Sequence, residues 1–343
     1  MLNRKTMGFF KLNQEVAIDL GTANTVIIHN GKIVVNAPSI VALEGDKMIA
    51  VGHKAQQMEG KTPANIRTVR PLRDGVIADF NAAEQMIRGM VKMAFSNKHL
   101  FTPQLRMVVG VPSGSTEVEL RAVRDSSEHA GGRDVYMLYE PMAAAIGIGI
   151  DVLAPEGNMV VDIGGGSTEI AVISLGGLVT NNSIRIAGND LTQDIMEYMS
   201  RQHNIKVGVP TAEQIKFNVG SALTVLDNPP EDFVVRGPNR MTALPMEVPV
   251  SYQEIAHCIE KSISKIEAAV LTGLEQTPPE LYADIVKNGI YLAGGGALLR
   301  GLDKRLQDKI GIPFHVAEDP LLSVAKGVGI ALQNIDRFPF LIR

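Results

Sequence analysis

Two segments of this 343-residue chain repeat one design: an apolar run, an aspartate that opens a Gly-rich turn carrying hydroxyl side chains, and a second apolar run. The first joins Val16-Ala17-Ile18 to Val26-Ile27-Ile28 through Asp19-Leu20-Gly21-Thr22-Ala23-Asn24-Thr25. The second joins Met159-Val160-Val161 to Ile170-Ala171-Val172-Ile173 through Asp162-Ile163-Gly164-Gly165-Gly166-Ser167-Thr168-Glu169. Each reads as a strand, a tight turn and a returning strand. Glycines let backbone N–H groups approach an anion closely, hydroxyls donate further bonds, and aspartates suit a hydrated divalent metal. One such turn would mean little. Two of them point to two jaws on one phosphate chain, with a pair of ordinary hairpins as the plain alternative.

The repetition extends beyond the turns. After the first comes Met107-Val108-Val109-Gly110-Val111-Pro112 and then Glu140-Pro141-Met142-Ala143-Ala144-Ala145-Ile146-Gly147; after the second comes Ile290-Tyr291-Leu292-Ala293-Gly294-Gly295-Gly296 and then Asp319-Pro320-Leu321-Leu322-Ser323-Val324-Ala325-Lys326-Gly327. Hairpin, core strand and acid-Pro helix recur in the same order. Proline after an acid suits a first helical turn, and the small residues let two such helices pack closely. A two-lobed α/β protein with a nucleotide between the lobes is the natural expectation. Helical patterns between the strands favour mainly parallel sheets, and Ile255, Ile259, Ile263, Ile266, Val270 and Leu274 mark a long amphipathic helix.

The sequences Ala17-Ile18-Asp19-Leu20-Gly21-Thr22-Ala23-Asn24-Thr25, Glu140 to Gly147 and Asp162 to Gly166 closely resemble the MreB family of bacterial actin homologues, within the actin, DnaK-type chaperone and sugar kinase superfamily. The resemblance runs from residue 14 to the C-terminus. It implies an actin-like fold, two duplicated ribonuclease H-like lobes with four subdomains and a nucleotide cleft between the lobes. Residues 1–32, 76–150 and 321–343 are then the first core lobe and 33–75 its small insertion; 151–185 with 254–320 form the second lobe and 186–253 its insertion. One departure shows: Ser167-Thr168 stands where the family usually has two threonines.

For the site, the resemblance implies slow ATP hydrolysis by an in-line water. Asp19 and Asp162 would place Mg²⁺, largely through water, while Thr22, Asn24 and the amides of Gly164, Gly165 and Gly166 hold phosphate oxygens, with Gly21 and Ala23 in the same nucleotide turn. Glu140, with Ser167, would orient or polarise the water, unless Glu140 is only an acid favoured at a helix N-terminus. Gly294, Gly295, Gly296 and Ala297 would bring backbone against the nucleotide, and Glu213 with Lys216 would flank ribose and adenine, or else form a solvated helical ion pair. No cation inside the phosphate motifs suggests a transition-state clamp, and neither a P-loop nor a Rossmann turn is present.

A net charge of −4 without a dense Lys/Arg stripe argues against nucleic acid as a partner. The single cysteine, Cys258, excludes an internal disulfide and reads as a buried small hydrophobe; the seven histidines lack zinc-ligand spacing. No apolar run is long enough to span a bilayer. Two segments suit its surface instead. In residues 1–12, Leu2, Phe9, Phe10 and Leu12 share a helical arc beside Arg4 and Lys11, against the alternative of a plain tail. In the loop 96–103, Leu100 and Phe101 are central; they either fold inward or, as the resemblance implies, enter the bilayer. The helix after Pro112 offers Val118 and Arg121 as a self-association face, unless Val118 packs inward.

The resemblance completes the expected biology: a cytoplasmic homopolymer of paired filaments on the inner face of the cell membrane, positioning wall synthesis together with elongation proteins such as RodZ, MreC and MreD. A DnaK-like chaperone would need a substrate domain after the ATPase core, whereas the chain ends soon after its last core helix. A sugar kinase would need an acceptor pocket and a catalytic aspartate, and no motif in the sequence supplies them.

Overall fold

Alternating apolar residues on both faces mark the first hairpin for a position inside a sheet rather than on its surface. The computed structural model, which describes residues 13–95 and 104–343, folds them that way. β1 (Asn13–Leu20), β2 (Asn24–His29) and β3 (Lys32–Pro38) form an antiparallel meander. A three-stranded sheet of β4 (Val41–Glu44), β5 (Lys47–Val51) and β6 (Ile66–Val69) follows, with α1 (His53–Met58) between β5 and β6, then the short hairpin β7 (Leu72–Arg73) and β8 (Val76–Ile77). α2 (Phe80–Ala94), β9 (Gln104–Val111), α3 (Glu117–His129), β10 (Gly132–Tyr139) and α4 (Glu140–Ile148) complete the first half.

The second half repeats the plan with β11 (Asn158–Ile163), β12 (Thr168–Ser174) and β13 (Gly177–Ile184), then α5 (Gly188–Gln202), α6 (Val209–Val219) and the hairpin β14 (Phe233–Pro238) and β15 (Pro245–Val250). α7 (Tyr252–Glu275), α8 (Pro279–Asn288), β16 (Ile290–Ala293), α9 (Leu302–Ile310), β17 (Phe314–Val316) and α10 (Ser323–Gln333) close it. The two large sheets share one order, β10-β9-β1-β2-β3 and β13-β12-β11-β16-β17 read in opposite directions, each with two antiparallel and two parallel pairings. The sheets are therefore mixed, not mainly parallel: the Gly-rich turns make meanders of the first three strands, and only the last two arrive by helical crossovers.

Val16, Ile18 and Leu20 on one face of β1 join α2 residues Met86, Ile87 and Met90 in one core cluster. On the other face, Ala17 joins Val26, Ile28 and Val108 in a second cluster with α4 and α10, and that cluster also takes in Val160 and Ile173 of the second sheet. α4 and α10 are thus the layer between the sheets. They touch backbone to backbone: a Cβ added at Gly147 would overlap the Ser323 carbonyl oxygen, and one at Gly327 that of Ala143. The far face of the second sheet is covered by α7, whose Ile255, Ile259, Ile263, Ile266, Val270 and Leu274 are all buried. α7 begins with a capping box between Ser251 and Glu254.

β3 pairs with β2, so residues 33–38 lie in the first large sheet rather than in the insertion proposed for 33–75. The alternation of Ile33, Val34 and Val35 identifies a strand but not its neighbour. Cys258 is only partly buried rather than fully so, and its thiol is pushed up to about 12, by burial first and then by Asp194 and Glu197, which disfavours the thiolate. No helix among the described residues is long and apolar enough to cross a membrane. Leu2, Phe9, Phe10, Leu12, Leu100 and Phe101 lie outside the described residues.

Candidate functional site

The two Gly-rich turns close on each other. A Cβ placed on Gly165 would lie 2.8 Å from the Ala23 Cβ, and one on Gly166 would lie 2.8 Å from Thr22 Oγ1. Only glycine allows this approach. The first turn is fixed from behind by Ser39, fully buried, whose hydroxyl donates to the Gly21 carbonyl at 2.6 Å and bonds Thr25 Oγ1 at 2.9 Å. In the second turn the Gly164 N–H donates to Ser167 O at 3.0 Å, so it is committed within the turn and does not serve as a phosphate donor. The N–H groups of Gly165 and Gly166 have no protein acceptor among the described residues.

A third loop enters the same place. The β7–β8 turn, Asp74 (φ 51°) and Gly75 (φ 83°), has the left-handed pair of conformations that an Asp-Gly hairpin favours. Its Gly75 N–H donates to Thr22 Oγ1 at 2.9 Å, and the buried Ser167 Oγ lies 3.0 Å from where a Gly75 Cβ would stand. Thr22 therefore meets a protein donor but keeps its own hydroxyl proton. Asn24, at the start of β2, is exposed beside this turn.

Four carboxyls converge behind the turns. Asp19, next to last in β1, is pushed up to about 7 by burial. Asp162 is 5% exposed and is pushed up to about 7 by burial and then by Asp19 and Glu169. Glu140, at the first turn of α4, is held well above the usual carboxylate range by burial, then by Glu169, Asp162 and Asp19. Asp162 and Glu169 stand directly opposite on neighbouring strands, an arrangement that disfavours two charges. Asp162 Oδ1 is buried without a hydrogen-bond partner among the described residues. Carboxyls that raise one another's pKa and a buried orphan oxygen are what a hydrated cation nearby would relieve. No three His, Cys, Asp or Glu side chains among the described residues are grouped so as to hold a metal ion by themselves.

Gly294 (φ 76°), following β16, lies against this cluster: its missing side chain would overlap Asp162 Oδ1 and the Ile163 carbonyl. Gly296 likewise backs onto Ile163, Ala297 is buried in the short 3₁₀ turn Gly295–Leu298, and Gly295 faces Leu321. Glu213 and Lys216 on α6 are no solvated pair. Lys216 Nζ donates to Glu213 Oε1 at 2.7 Å, Thr192 Oγ1 at 2.8 Å and the Gly188 carbonyl at 2.8 Å, with its side chain 13% exposed. Gly188 and Asn189 in turn donate their N–H groups to the carbonyls of Gly164 and Gly165. Lys216 thus braces the second Gly-rich turn through the start of α5. Sequence reasoning missed Ser39, Asp74, Gly75 and Glu169. Only Asp74-Gly75 carried a local signal, the Asp-Gly turn between short apolar runs.

A sheet order written twice, with a Gly-rich turn at the same corner of each copy and a helix pair between them, is that of the two-lobed actin-like class. In agreement, the structure superposes on the crystal structure of MreB5 of Spiroplasma citri bound to AMPPNP with a TM-score of 0.88 at 37% identity, covering 95% of this chain and 97% of that one. A MamK double helical filament matches with a TM-score of 0.78 over 95% of this chain and 100% of that chain; at 21% identity it speaks to the fold alone. The family model described as MreB/Mbl protein matches residues 13–339, and the chain belongs to that family. It is 46% identical to the cell shape-determining protein MreB of Escherichia coli strain K12 over 340 residues, 97% of this chain and 96% of that protein. It is 43% identical to the cell shape-determining protein Mbl of Bacillus subtilis strain 168, over 95% of this chain and 98% of the relative.

Proposed function

We propose that this MreB/Mbl family chain binds ATP with Mg²⁺ between its two Gly-rich turns, hydrolyses it slowly, and assembles into paired filaments on the inner face of the cell membrane that position wall synthesis. The observation that carries the nucleotide reading is the approach of Gly165 and Gly166 to Ala23 and Thr22 in front of a carboxylate cluster. The Spiroplasma citri relative, solved with AMPPNP and with ADP, supports it.

Thr22, Gly165 and Gly166 would bind phosphate oxygens; Asn24, exposed beside them, would reach the same chain. Asp19 and Asp162 would hold the hydrated Mg²⁺, which when bound neutralises phosphate charge. Glu140, at the first turn of α4, would orient or polarise the attacking water, a bound cation nearby favouring its carboxylate form, and the Ser167 hydroxyl shares the end of the second turn. Gly294 to Ala297 would line the nucleotide, while Glu213 and Lys216 would flank its sugar and base from the α5–α6 junction. Lys216 is the nearby cation, but its donors are spent on the protein, which agrees with slow turnover.

Filament pairing would use α3: Val118 is 78% exposed and Arg121 is exposed on the same side, three residues on. Residues 1–12 and the loop 96–103 would meet the lipid, and RodZ, MreC and MreD are the partners the resemblance implies. Electron microscopy of the purified chain with ATP and Mg²⁺ on anionic lipid, alongside phosphate release, tests the whole reading. Paired filaments on lipid and slow phosphate release are expected; monomers that transfer phosphate to a small acceptor would overturn it.

A further inference from the structure

The loop that leaves β9 and enters α3 follows the first sheet, yet its partners lie on the second. Ser113 donates both its N–H, at 3.2 Å, and its hydroxyl to Oε2 of Glu169 on β12. Ser183 on β13 donates to Oε1 of the same carboxylate at 2.7 Å. Asn181 Nδ2 donates to the Ser113 carbonyl at 3.1 Å, and the bare Gly114 lets the loop settle on Ser183, whose Cβ is 3.0 Å from the position of a Gly114 Cβ. Arg185 and Glu119, 3.8 Å apart, extend the seam onto α3.

Glu169 is 1% exposed. A carboxylate so far from water is tolerated where donors take up its lone pairs, and here three do so, two from Ser113 in the loop after β9 and one from Ser183 on β13. Its place in the ladder is also fixed: Asp162 stands opposite it on β11 and Ser183 opposite it on β13. Both of its oxygens are taken up by Ser113 and Ser183, so its part in the carboxyl cluster is the charge it adds beside Glu140 and Asp162. Removing one partner of such a buried set leaves the others unsatisfied, so the contact opposes separation of the sheets more strongly than a surface ion pair would.

We propose that Glu169 is a positioning residue that holds the cleft closed, by joining the strand after the second Gly-rich turn to the Ser113 loop at the start of α3. The proposal rests on the reading of the cleft as an ATP-hydrolysing site and names what keeps that site assembled. Closure sets Gly165 against Ala23 and Gly166 against Thr22, and the same contact fixes the base of the helix that bears Val118.

The test uses the full chain carrying Cys258→Ser and two nitroxide labels, at Gln56→Cys on α1 and Glu231→Cys ahead of β14. Pulsed EPR gives the distance distribution with and without AMPPNP, and ATP turnover is measured on the unlabelled variants. Glu169→Ala should lengthen and broaden the distribution and lower kcat by about 10²-fold, with KM within about 3-fold, because misplacement by an ångström affects the reaction more than binding. In Glu169→Gln the amide oxygen still accepts from Ser113, and the Ser183 hydroxyl can turn to accept from the amide NH₂. That variant should keep the wild-type distances and lose less than about 5-fold in kcat, a geometric rescue that leaves the charge absent. Wild-type distances in Glu169→Ala would overturn the proposal. So would a Gln variant with unchanged distances but the rate of the Ala variant, since the charge and not the clamp would then matter. Absence of phosphate release from the wild type would sink the nucleotide reading alone, as the distances still decide whether Glu169 holds the sheets together.

Discussion

At the scale of single residues, the site is built from groups held away from their ordinary ionisation. Glu140 is the acid proposed to orient the attacking water, so Glu140→Ala should bind ATP as tightly as the wild type while releasing phosphate about 10²–10⁴-fold more slowly; unchanged release at saturating ATP would remove it from the mechanism. Asp19 and Asp162 supply a second prediction. Both are pushed up to about 7 in the folded chain, so between their ordinary range and 7 the folded state holds protons that the unfolded chain has released. Their stabilising contribution is therefore full below about pH 4 and is lost as pH rises through 7. The metal-free protein should melt at a lower temperature at pH 7.5 than at pH 5.5, and Asp162→Asn should flatten that slope. Equal slopes in the two proteins, followed by circular dichroism, would show that Asp162 does not titrate there. The aspartates and glycines of the turns were legible in the sequence because their residue types name their chemistry. Glu169, Ser39 and Ser113 were not: what they do depends on strand register and on closure between sheets, which no local pattern encodes.

Among the elements, the pair α4 and α10 tolerates the least change. Gly327 lies so close to Ala143 that a methyl group would overlap its carbonyl oxygen, and the obstacle is backbone rather than a side chain that can swing away. Gly327→Ala should therefore destabilise the fold by about 1–3 kcal/mol or more despite the better helix propensity of alanine, seen as a lower urea midpoint. A midpoint equal to or above that of the wild type would mean that the helices can part freely. For α3, the exposed Val118 and the neighbouring Arg121 predict that Val118→Glu leaves the melting temperature within a few degrees but leaves filaments single in negative stain. The capping box of Thr116 and Glu119 and the inward Val123 hold this helix without Val118. Filaments that still pair would move the lateral contact off α3. Periodicity and punctuation made these helices and both hairpins readable. The place of β3 and the mixed sheets were not, because an apolar alternating strand states which face is buried and not which neighbour it has.

For the whole molecule, the proposed attachment to lipid comes from segments outside the described residues, and its logic is that of many weak contacts. Leu100 and Phe101 would contribute roughly 3–6 kcal/mol on burial before ordering costs, and Leu2, Phe9, Phe10 and Leu12, with Arg4 and Lys11 near them in sequence, would add to that, each basic residue by about 1 kcal/mol on anionic lipid. Such gains are comparable with the cost of docking one molecule, so a monomer should bind poorly and a filament well. None of the helices among the described residues is long and apolar enough to cross a bilayer. Deleting residues 1–12, or replacing Leu100 and Phe101 by Ser, should each weaken co-sedimentation with anionic liposomes, and the two changes together should abolish it. Filaments in lipid-free solution should remain, because neither segment belongs to the nucleotide turns or to α3. The loss should grow with filament length in each single variant, as a per-subunit deficit is multiplied along the polymer. Undiminished liposome binding by the combined variant would place the membrane contact on another surface or on a partner protein.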